Sequence, residues 1–175
     1  SLCLYVSFSN SSFAVKLKKN CKVLYDPIFL DHLISKDHPE KPERVSIALE
    51  YLKNTIQYII ENPGIKRDVE LWIRKIHTKE HVKSLKNNDS IAEIVSSAAV
   101  KLCLQGIDKI MNNEVKNIFC LTRPPGHHAL NTGREEGFCY YNHIAITAKY
   151  IQEKFKLKKI LIVDWDYHHG NSTEY

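Results

Sequence analysis

Two short polar segments carry the residue types that handle protons and metals. Arg123-Pro124-Pro125-Gly126-His127-His128 sets two adjacent histidines on a loop stiffened by proline. Asp164-Trp165-Asp166-Tyr167-His168-His169-Gly170-Asn171 offers carboxylates, imidazoles and a carboxamide. In extended backbone, positions i and i+2 share a face, so Asp164, Asp166 and His168 fall on one side. The Asp166 carboxylate and the His168 imidazole together suit zinc or another borderline divalent metal. Two ligands do not close such a site, because a catalytic zinc takes about three protein ligands and keeps a position open for water. His127 and His128 suit proton transfer, since a histidine accepts and returns a proton near neutral pH. Each segment also has a plainer reading. The first is also what two water-facing loop histidines look like, and the second what a polar strand end looks like. The apolar run before each, and their joint presence in one chain, favour chemistry.

Those apolar runs are what must position the clusters. NIFCLT (117–122) and KKILIVD (158–164) both read as strands, the second as a continuous apolar run of the kind found inside a parallel sheet. In open parallel sheets, ligands bind beyond the carboxyl ends of the strands, which is where both clusters fall. KVLY (22–25) and VELWI (69–73) are further strand candidates. Val45, Leu49, Leu52, Ile56 and Ile59 recur at helical spacing, with Pro42 in the first turn and Asn62-Pro63-Gly64 as the stop. Thr78 caps a short helix through Leu85. Ser90 with Glu93 forms a capping box for a helix to about Met111. RPPGHHALNTGREEG (123–137) holds two prolines and three glycines and excludes regular structure. FCYYNHIAITAKYIQEKF (138–155) reads as a helix, apolar almost all round and therefore buried. Strands alternating with helices predict an α/β fold with a mostly parallel sheet. Residues 1–21 read as an irregular N-terminal segment, and 22–175 as part of a single domain.

Bulk properties set the frame. The chain has 175 residues, 43% hydrophobic and 26% charged, an ordinary globular balance with room for one real core. The net charge of +5 is mild and scattered, which reads as a solvated lysine-rich surface rather than a nucleic-acid-binding face. The five cysteines are an odd number without a C-x-x-C pair, and Cys21, Cys103 and Cys120 sit in apolar runs. This predicts reduced thiols and no disulfide framework. No run of about 18 to 20 apolar residues stands out as a bilayer span. The opening SLCLYVSF lacks a basic leader and a small-residue cleavage site.

RPPGHHA, EEGFCYYNHIAITAKY and ILIVDWDYHHGNSTEY, in that order, resemble the histone deacetylase family and the related acetylpolyamine amidohydrolases. YDPIFLDH, DHPEKPERVSIALEYL and IHTKEHVKSL extend the resemblance back to about residue 22. RPPGHHA, DWD and Asn171 are more similar to the class II branch than to class I, which usually has Asp at the Asn171 position. The resemblance implies the arginase-deacetylase α/β fold, incomplete in this chain. It implies that Asp166 and His168 are two zinc ligands, and that His127 and His128 are the paired active-site histidines. Asp164 matches the carboxylate that bonds the first histidine, and Asn171 the partner of the second. Gly137 and Phe138 match one wall of an acyl-lysine channel, and Arg44 resembles a basic residue near its inner end. Asp164, Asp166 and the His168 carbonyl also resemble contributors to a monovalent cation site, which implies K⁺ as a structural ion. Asn171 would orient His128 without adding negative charge, which keeps it available as a base.

Several neighbours carry plainer expectations. Cys139, Tyr140 and Tyr141 read as core, and His143 as a satisfied structural histidine. His169 reads as loop support. Trp165 and Tyr167 are expected to point away from the metal face and pack. Ser172 stands where the family usually has Gly, in a turn where Gly tolerates positive φ most easily.

The implied activity is zinc-dependent hydrolysis of acetyl-lysine in histone tails or other proteins, in the nucleus, the cytoplasm or both, with a corepressor complex as a partner. Two alternatives share every residue here: a small-molecule deacetylase of the acetylpolyamine type, and a catalytically dead corepressor scaffold. The family's third zinc ligand, an Asp, and its Tyr or His oxyanion donor come later than Tyr175. The 175-residue chain alone is therefore expected to be inactive and prone to aggregate through an unpaired strand edge. Purification and assay of this chain test that expectation, and robust chelator-sensitive deacetylation by it would contradict it.

Overall fold

The computed structural model describes residues 5–7, 21–55, 59–64 and 68–175. Strand β1 (Tyr5–Ser7) precedes β2 (Cys21–Leu24), which leads through a 3₁₀ turn (Pro27–Leu30) to helix α1 (Glu43–Thr55) and strand β3 (Ile59–Glu61). Helices α2 (Glu70–Ile73), α3 (Lys79–Asn88) and α4 (Ser90–Met111) follow, then strand β4 (Asn117–Cys120). Helix α5 (His143–Phe155) and the single turn α6 (Asn171–Glu174) close the described chain. The sheet order is β1-β4-β2-β3. β2 runs parallel to both β3 and β4, whereas β1 adds antiparallel to the far edge of β4. The mostly parallel sheet is as expected. Within the segment expected to be irregular, Tyr5–Ser7 forms a strand, and residues 1–4 and 8–20 lie outside the described residues.

Helix α4 is the spine of the domain. One of its faces, with Val95, Ala99 and Leu102, packs on Val23, Leu24 and Ile118 of the sheet. The other, with Val100, Leu104 and Ile107, packs on Ile146 and Tyr150 of α5. The sequence shows no obvious bilayer span, yet this 22-residue helix is apolar enough in composition to cross one. Its apolar character is used as core instead, with 72% of its most apolar stretch buried.

Local chemistry explains where elements depart from the sequence reading. α1 is described as far as Thr55, Ile56 lies outside the described residues, and Ile59 lies in β3, paired with Lys22. Short isoleucine runs satisfy both periods, and the open edge of β2 decides for a strand. VELWI is a helical turn rather than a strand: Val69 O accepts from Trp72 N and Ile73 N, both at 2.9 Å. This places Val69 and Ile73 on one buried side, four residues apart. Thr78 caps α3 as expected, its Oγ1 accepting from His81 N at 3.2 Å. The cap of α4 is Asp89, not Ser90, with Oδ1 accepting from Ala92 N at 3.0 Å. Residues 138–142 are not helical. Phe138 has φ +69°, outside any right-handed helix, and Asn142 caps α5 by accepting from Ala145 N at 3.0 Å.

KKILIVD is the largest departure. Among the described residues it joins no ladder. Its backbone is extended, since Leu161 and Val163 face outward (86% and 60% exposed) while Ile160 and Ile162 are half-buried. A continuous apolar run specifies an extended segment but not its partner, and no described strand lies alongside.

Gly106 sits where α4 crosses the sheet. A Cβ there would lie 2.9 Å from Ile118 Cγ2 and 3.3 Å from Cys120 Sγ. Gly106→Val should therefore overpack this crossing and cost about 1–3 kcal/mol, read as a lower urea midpoint. An unchanged midpoint would show that α4 lifts off the sheet without penalty.

Candidate active site

The exit of β4 is fixed by a buried charge pair. Arg123 and Glu40 are 1% and 0% exposed. Arg123 Nε donates to Glu40 Oε1 at 3.0 Å, Nη2 to Oε2 at 2.5 Å, and Nη1 to the Phe29 carbonyl at 2.6 Å. Burial works to raise the Glu40 pKa, but His32, Arg123 and Arg44 outweigh it and hold the carboxyl below its usual range. His32 Nδ1 stands 3.6 Å from Glu40, too far to hydrogen-bond, so the guanidinium fork is the principal partner.

From this anchor the loop turns down onto the start of α5. A Cβ at Gly126 would lie 2.5 Å from Tyr141 O and from His143 Nδ1, so only glycine allows the approach. The His127 and His128 rings then lie side by side, centroids 4.1 Å apart and planes tilted by 40°. His127 Nδ1 lies 2.9 Å from Asp164 Oδ2, and His128 Nδ1 lies 2.6 Å from Asn171 Oδ1. Both acceptors leave the Nδ1 hydrogens in place, so each ring keeps Nε2 for other partners. The two polar segments, 36 or more residues apart in the chain, therefore meet.

Beside them Asp166 Oδ1 accepts from His168 N at 2.9 Å and faces His168 Nδ1 at 3.1 Å. The His168 backbone N–H, against the effect of burial and with the His168 ring, holds the Asp166 carboxyl below the usual range. A cavity of about 510 Å³ is lined by His127, His128, Gly137, Phe138, Asp166 and His168, with Arg44 at its side. Asp164 and Asn171 stand behind the histidines. Phe138 and Gly137 both take positive φ, which bends this wall toward His128. His38 packs edge-on against Phe138 at 4.7 Å.

Asp166 and His168 are the right donor types for zinc, and their number falls one short of a closed site. Among the described residues, no group of three or more His, Cys, Asp or Glu is placed to hold a metal.

The neighbours divide. Cys139, Tyr140 and Tyr141 are core, at 0%, 4% and 2% exposure. Burial pushes the Cys139 thiol up to about 12, which removes it as a nucleophile. Cys21, Cys103, Cys120 and Cys139 carry reduced thiols. His169 bonds Glu174 at 2.7 Å on the surface. Trp165 and Tyr167 do not pack into the core as expected, at 69% and 98% exposure, and Tyr167 lines the cavity, edge-on to His168 with ring centroids 5.5 Å apart. His143 is buried as expected yet not satisfied, because Nδ1 has no hydrogen-bond partner. Ser172 is not in the left-handed region, so the turn does not require the family's Gly.

Sequence reading missed Glu40, Arg123, His77 and Asn142. Asn142 N donates to His77 Nε2 at 2.9 Å, while His77 Nδ1 faces Asn131 Oδ1 at 3.2 Å. The usable signal was polarity inside apolar segments: an arginine straight after a strand and an asparagine at the foot of an apolar helix each need a partner when buried.

Residues 38–175 match the family described as the histone deacetylase domain. The chain is 31% identical over 163 residues to Histone deacetylase 6 of Caenorhabditis elegans, which covers 79% of this chain and 17% of that protein. It is 30% identical over 157 residues to the polyamine deacetylase HDAC10 of Danio rerio, covering 78% and 23% respectively. The crystal structure of the HDA15 HD domain superposes with a TM-score of 0.76 at 28% identity, covering 89% of this chain and 50% of that one. The chain thus spans a minor part of these relatives and half of the solved domain. The small parallel sheet with flanking helices is an incomplete version of the arginase-deacetylase fold.

The buried histidines give the domain an acid limit. Burial, together with His81 or His127 nearby, lowers His77 and His143 to about 4. An unfolded histidine titrates near 6.5, so between about 4 and 6.5 the unfolded chain binds more protons and stability rises with pH. Urea midpoints should therefore be highest at pH 7 and fall as pH drops toward 4.5, with a shallower fall in His143→Gln. A flat profile over that window would contradict this.

Proposed function

Because the chain belongs to the histone deacetylase family, we propose that the intact gene product hydrolyses the acetyl-lysine amide of histones or other proteins at a zinc site. Asp166 and His168 would hold the metal together with a ligand from outside these 175 residues. The observation that carries this reading is the histidine pair, each ring tied through Nδ1 to its own acceptor, at the wall of a cavity that also holds two metal donors. When bound, zinc supplies Lewis acidity and a water of lowered pKa.

The residues present do the rest. Asn171 holds the Nδ1 hydrogen of His128, so Nε2 is the atom that takes a proton from water and returns it to the leaving amine. Asp164 accepts from His127 Nδ1 and so fixes that ring beside the place where negative charge develops on the substrate. Gly137 and Phe138 give the apolar lysine stem a wall without competing hydrogen-bond donors.

A second reading, hydrolysis of an acetylated polyamine, is supported by the 30% identity to a polyamine deacetylase. Steady-state assays of the intact gene product on an acetyl-lysine peptide and on an N-acetylpolyamine separate the two. Turnover of the peptide is expected, with kcat lowered roughly 10²- to 10⁴-fold in His128→Ala. Turnover of the polyamine alone favours the second reading, and full activity in His128→Ala contradicts both.

A further inference from the structure

The histidine pair is clamped from behind by a residue outside the catalytic set. Ser172 N donates to His127 O at 3.0 Å, and Ser172 Oγ donates to Ala129 O at 2.5 Å. One residue thus ties both carbonyls that flank His128. Its chain neighbour Asn171 holds the His128 ring at 2.6 Å. Three bonds from two consecutive residues therefore fix the backbone and the side chain of His128 together.

The clamp is itself anchored. Asn142 is 0% exposed and donates through Nδ2 to Ser172 Oγ and to Thr173 Oγ1, both at 3.0 Å. Its Oδ1 caps α5 at Ala145 N, its carbonyl accepts from Ile146 N, and its N–H donates to His77 Nε2. Every polar group of Asn142 is used, so its carboxamide has one orientation. The Ser172 hydroxyl has a single hydrogen, which the Asn142 donor directs onto Ala129 O.

We propose that Ser172, oriented by Asn142, is a positioning residue that sets His128 against Asn171 and selects its Nδ1–H tautomer. The proposal rests on the reading of His128 as the base.

Ser172→Ala, Ser172→Gly and Ser172→Thr in the intact gene product test it, with His128→Ala alongside. The readouts are kcat and KM on an acetyl-lysine peptide, the thermal midpoint, and the His128 tautomer by ¹⁵N-histidine NMR of the metal-free protein. Ser172→Ala should lower kcat roughly 10- to 100-fold with KM within about twofold and replace the single Nδ1–H tautomer by a mixture. Ser172→Thr should restore both. If the alanine variant does not fold, Ser172→Gly, which keeps the N–H and loses the hydroxyl, gives the same comparison. Wild-type kcat and an unchanged tautomer in the variants, whatever their midpoints, would overturn the proposal and leave a packing role. Full activity in His128→Ala would remove the functional reading instead, while the tautomer comparison would still decide the clamp.

Discussion

The ion pair between Arg123 and Glu40 is the constraint on which the site depends. Two charges are removed from water, and three hydrogen bonds from one guanidinium satisfy them, two on the carboxylate and one on the Phe29 carbonyl. Such a pair is a weak source of net stability, because desolvation consumes most of the attraction. It is a strong source of geometry, since either partner alone would be an uncompensated buried charge costing about 3–5 kcal/mol. The pair joins the segment before α1 to the exit of β4. It therefore sets the direction in which the chain leaves the sheet toward His127 and His128.

The second half of the site is held by contacts rather than by a ladder. Residues 158–166 have no partner strand among the described residues, alternate side chains from 160 onward facing outward, and the chain bends at 167 and 168. What places Asp164 and Asn171 is their bonding to the histidines, and the tie from α6 back to residues 127 and 129. Charge, hydrogen bonding and a close glycine contact do here what strand pairing does on the other side of the cavity. The outward row of Leu161, Val163, Trp165 and Tyr167 is the apolar surface left by that arrangement.

The sequence was most legible where one residue type forces one chemistry. Paired histidines after an apolar run, and alternating Asp-x-Asp-x-His, identified both halves of the cavity, and the alternation of exposure through 160–167 follows the expected period of two. The α/β class and the helices α1, α3 and α4 were legible from periodicity and capping residues. Strand pairing was not. VELWI and KKILIVD carry strand-like composition, but a strand exists only where another backbone offers its hydrogen bonds, and that is decided by tertiary placement. The start of α5 was misplaced because Phe138 looks like a helical apolar residue, while its left-handed φ belongs to the cavity wall. Buried polar partners were the least visible. Nothing in the local sequence around Glu40, Asn142 or His77 states that each has its partner 65 or more residues away.

The proposed function rests on the proposal that Asp166 and His168 are metal donors serving the histidine pair beside them. Zinc stoichiometry and affinity of the intact gene product, measured by competition with a chelating dye, test it most directly. One tightly bound zinc is expected, with affinity lowered at least roughly tenfold by Asp166→Ala and by His168→Ala and unchanged by His169→Ala. Equal zinc binding in all three variants would contradict it.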